Sequence, residues 1–70
     1  MKAGFRVSMM SVKTAINQKK NEMYKVWHYL GKKEEQCGKD LTEVKDIVTT
    51  VIQDMERAIE KIEEVLEANG

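Results

Sequence analysis

Seventy residues at 8.1 kDa leave room for a single domain. With 41 % apolar and 34 % charged residues, the chain is too apolar for a disordered tail and too charged for a membrane protein. It has no apolar run near the ~20 residues that span a bilayer and no charged-then-apolar leader, and its one cysteine closes no internal disulfide, so a cytoplasmic setting is expected. The absence of proline and the single phenylalanine argue against a strand-and-turn fold.

The first seven residues read as a flexible lead-in. From there the apolar positions recur with a 4-3 spacing. Phe5, Met9, Val12, Ile16, Lys19, Met23, Val26, Leu30, Lys33 and Cys37 form one seam, the mark of a helix over about 8–37. Gly31 interrupts it at an interior cost of ~1 kcal/mol relative to alanine, so the helix ends either there or at Gly38. Lys19 and Lys33 stand within the seam, where their stems can lie along apolar surface while their ammonium groups reach acids.

The break falls at 38–40. Gly38 suits the left-handed position after a helix, Asp40 suits the cap of the next one, and Glu43 follows three residues later in a capping-box pattern. A second helix over about 41–68 carries the seam Leu41, Val44, Val48, Val51, Met55, Ala58, Ile62 and Val65. Beside it runs another apolar row, Ile52, Ile59 and Leu66, with Ile47 on the other flank. A face that broad asks for more than one neighbouring helix.

The zero net charge hides two opposed halves. Residues 1–33 carry eight cations against Glu22 alone, and residues 34–70 carry four cations against eleven acids, a balance of +7 and −7. Folding at Lys39 puts residue i near residue 78 − i, roughly, so that Lys13 comes near Glu63 and Met23 near Met55. Each exposed ion pair contributes only ~0–1 kcal/mol, but together they orient the halves. The expected fold is all-α, an antiparallel two-helix hairpin that dimerises into a four-helix bundle.

Energetics point the same way. Burying about 60 % apolar area between roughly 11,700 Å² unfolded and 4,500 Å² folded supplies on the order of 110 kcal/mol. Ordering the chain at ~1.5 kcal/mol per residue costs about 105 kcal/mol. A rod buries less than a sphere, so a second copy or another protein is the simplest source of further stability. Tyr29, Ile52, Ile59 and Leu66 are the expected dimer interface.

Chemistry-bearing residues are sparse. The single histidine, His28, and the single cysteine, Cys37, are nine residues apart, about 13 Å along one helix, too far to act on each other. They make no metal-ligand set of the usual spacing, and the four scattered glycines make no phosphate loop. No enzyme activity, cofactor or metal is expected. Trp27-His28-Tyr29-Leu30-Gly31 lacks the Trp-x-Gly turn spacing of the small secreted WXG-type hairpins, and no family is assigned.

One segment stands out. Met23 to Leu30 holds three of the four aromatic residues, more rings than one hairpin can bury. Tyr24, Trp27 and His28, with Lys20 nearby, are the expected contact for another protein, since aromatic residues beside cations anchor such interfaces. On this reading Trp27→Ala weakens partner binding or dimerisation while helicity survives. The alternative is a nucleic-acid-binding regulator that grips phosphates with the basic first helix. A membrane partner is not expected.

Overall fold

The computed structural model describes residues 3–69 and the side chains of residues 4–68. Two helices, α1 (Ala3–Cys37) and α2 (Thr42–Asn69), pack against each other as an antiparallel hairpin 54 Å long. Part of the expected lead-in over residues 1–7 is helical. Residues 3–7 already belong to α1, because nothing in Ala3-Gly4-Phe5-Arg6-Val7 halts the helix; Met1 and Lys2 lie outside the described residues. Neither helix is long and apolar enough to cross a membrane.

α1 runs through Gly31 and stops at Gly38. There φ is +64°, the left-handed region that costs an L side chain ~1–2 kcal/mol and costs glycine nothing. The Gly38 N–H donates to the Glu34 carbonyl at 2.9 Å, closing the helix in the αL manner. Gly31 is an ordinary helical position with open space where a Cβ would sit. The two glycines therefore predict opposite signs. Gly31→Ala should stabilise the hairpin by up to ~1 kcal/mol and Gly38→Ala should destabilise it by about as much, which paired urea titrations would check.

The helical period agrees with the sequence reading, but the face turned inward does not. Met9, Ile16, Met23 and Leu30 are half-buried as expected, yet Phe5, Val12, Lys19 and Val26 are exposed. Their places inside are taken by Lys13, Lys20, Trp27 and Glu34, all half-buried. On α2 the row thought to await a second copy faces inward as well. Ile52 is 6 % exposed, Leu66 is 7 % exposed, and Ile59 is half-buried.

Side-chain size explains the rotation. Ile52, Ile59 and Leu66 remove more apolar area from water than Val51, Ala58 and Val65 would, and burial scales with that area. Lys13 and Lys20 are half-buried in the inner row, which long apolar stems allow while the ammonium groups stay solvated. Lys13 meets Glu63 at 3.2 Å, the one expected interhelical pair from the α1 lysines that forms among the described residues. Tyr29, also assigned to an interface between copies, stands at the surface on the flank away from α2 (58 % exposed).

Candidate binding surfaces

The turn is clasped by one carboxylate. Glu34, in the last turn of α1, accepts the Leu41 N–H at 2.9 Å through Oε2 and the Lys45 ammonium at 2.7 Å through Oε1. It thereby fills part of the capping role expected of Asp40 and Glu43. Asp40 still caps, accepting the Thr42 N–H at 3.0 Å. Lys45 continues the chain of contacts, with its Nζ 5.1 Å from the centre of the Trp27 ring, within cation–π range. Glu34, Lys45 and Trp27 thus tie both helices together just beneath the turn.

Both carboxyls sit below their ordinary values. The Lys45 ammonium, then the Leu41 N–H, hold Glu34 down, and Thr42, by hydroxyl and backbone, holds Asp40 down. An acid depressed in the folded state stabilises the fold above its unfolded value and loses that contribution as pH falls through the folded one. The unfolded values are 4.5 and 3.8. The hairpin should therefore melt at progressively lower temperature as pH drops below these values. Glu34→Gln should lower the neutral melting temperature and flatten the acid slope, as followed by circular dichroism.

The expected partner-binding residues are partly assembled. Tyr24, Trp27 and His28 line one shallow groove of about 330 Å³ between the helices, facing Thr49, Gln53 and Glu56. The Tyr24 hydroxyl donates to Glu56 at 3.4 Å, and His28 stands edge-on to Trp27, with centroids 5.4 Å apart and planes at 86°. Tyr24 and His28 are exposed, whereas Trp27 is half-buried in the helix–helix seam. Lys20 shares the inner row with Trp27, two turns away, and does not line this groove.

The opposite side carries a surface the sequence reading had placed inside. Val12, Lys19, Val26 and Lys33 of α1 run beside Val44, Val51 and Ala58 of α2, all at seven-residue spacing. Tyr29 and Ile47 flank these rows, and Ile47 is 60 % exposed. A depression of about 380 Å³ at its centre is lined by Ala15, Ile16, Lys19, Val51, Met55 and Ala58, with Asp54 at the rim. The Lys33 ammonium lies 5.4 Å from the centre of the Tyr29 ring. The signal for this face was already present in the first seam. Period alone could not say which of two adjacent rows turns inward.

Cys37 is free and exposed beside the turn. Among the described residues no three His, Cys, Asp or Glu side chains group in a way that could hold a metal ion. No family model, curated protein or solved structure matches the chain.

Proposed function

We propose that this chain is a small non-enzymatic protein-binding module, a regulator, inhibitor, adaptor or assembly factor of the cytoplasm that acts as a self-associated helical hairpin. The observation that carries the reading is how little the hairpin hides. Among the described residues only the apolar Ile52 and Leu66 are buried, while Phe5, Val12, Tyr24, Val26, Tyr29, Val44 and Ile47 are all exposed. Its accessible surface is 5384 Å², against roughly 4,500 Å² for a compact monomer of this mass. Two hairpins closing into a four-helix bundle cover such surface. The groove of Tyr24, Trp27 and His28 then remains for another protein, with two aromatic rings and an imidazole suited to an interface anchor.

Sedimentation equilibrium at micromolar concentration tests the association. A mass of twice 8.1 kDa is expected, and a monomer throughout would overturn the reading. A second reading, nucleic-acid binding by α1, draws on Lys20, Lys25 and Lys32, which make no ion pair among the described residues. Affinity for a duplex that falls steeply with salt would favour it.

A further inference from the structure

Resting on the self-association proposed above, we infer that the second copy docks on the face bearing Val12, Val26, Val44 and Val51, with α1 of each chain against α2 of the other and both turns at one end.

Area is the first argument. The hairpin measures 54 Å by 14 Å across its broad side, which gives about 750 Å², close to the ~800 Å² per partner of a stable interface. Charge is the second. α1 holds seven cations against three acids, and α2 holds three cations against eight acids. Two hairpins can stack on this face about a two-fold axis in either of two ways. If the turns lie at opposite ends, α1 covers the partner's α1 and α2 covers the partner's α2. Neighbouring helices 8–10 Å apart then repel, at a separation the ~8 Å screening length does not erase.

With the turns together, each basic helix lies on an acidic one. Heights along the bundle are then preserved between copies. Lys13–Glu63 and Tyr24–Glu56 set the register within one hairpin, and by it Tyr29 and Ile47 stand at the same height on opposite flanks. Tyr29 of one chain therefore covers Ile47 of the other, twice, by symmetry. These two are among the most exposed large apolar side chains in the molecule. Lys19, paired with Glu22 of its own helix at 3.4 Å, comes within reach of the partner's Asp54, which in one hairpin meets Arg57 at 3.1 Å. The Tyr24–Trp27–His28 grooves are left on the two outer sides of the bundle, so each dimer presents two of them.

The protein's own Cys37 tests this without a substitution. A nitroxide on its thiol, read by pulsed dipolar spectroscopy, should give a spin–spin distance below about 30 Å, since bundled helices lie 8–10 Å apart. A distance near the 54 Å hairpin length would overturn the arrangement. A second variant, Tyr29→Cys/Ile47→Cys/Cys37→Ser, should close into a doubly cross-linked dimer under mild oxidation, while either cysteine alone should not. A dimer by sedimentation with neither signal refutes the arrangement and leaves self-association standing. A monomer by sedimentation refutes both.

Discussion

Ile52→Ala is expected to abolish most of the cooperative melting of the hairpin. Ile52 is one of two apolar side chains buried among the described residues, and truncating a buried isoleucine to alanine costs ~2–5 kcal/mol. A chain of this length has a total stability of only about 3.5–10 kcal/mol. At about 4–8 °C per kcal/mol for a domain this small, the melting temperature should fall by roughly 8–40 °C. Leu66→Ala should cost less despite similar burial, because Leu66 lies in the last turn of α2, where fraying absorbs part of the loss. Ile47→Ala provides the contrast. That side chain is exposed, so the substitution should change the stability of the dilute single chain by no more than about 0.5 kcal/mol. If Ile47→Ala proved the more damaging of the two, the inner and outer rows of α2 would have to be exchanged.

Trp27→Ala is the second large effect, and it revises what the sequence suggests. Trp27 is half-buried between the helices with Lys45 over its face. A full tryptophan deletion costs ~3–5 kcal/mol in a core, so half-burial sets the expected loss at about 2 kcal/mol, including the cation–π contribution. A role confined to partner binding would leave the melt unchanged. Trp27→Phe should recover most of the stability, because a smaller ring still packs and still faces the ammonium. Tyr24→Ala and His28→Ala are the cleaner probes of the groove. Both side chains are exposed, so their removal should leave the melting temperature within a few degrees while weakening a protein partner. Calorimetry on all four variants separates the packing role from the binding role.

These two results bear on one physical point, the identity of the inward row. Helix number, Gly38 as one of two candidate ends of α1, and the antiparallel register are all legible in the chain. The 4-3 spacing has no strand interpretation, only glycine takes a φ of +64° without cost, and the opposed halves attract. The groove of Tyr24, Trp27 and His28 is also legible, since three residues within five positions of one helix share a side of it. Less legible was Glu34. As one acid in a charged stretch it carries no local mark, and its partners Leu41 and Lys45 meet it only once the turn is closed. Lys20 shows the reverse, because proximity in sequence put it near the aromatic cluster while the groove itself lies two turns on.

The sequence by itself determines two long helices and their polarity, because each rests on local propensity or on charges summed over whole segments; that α1 continues through Gly31 and turns at Gly38 was decided by the fold. Which of two neighbouring apolar rows is buried was decided only by tertiary packing. Both rows obey the same seven-residue repeat, about 100° apart around the helix, and only the competition for area between them separates Ile52 and Leu66 inside from Val44 outside.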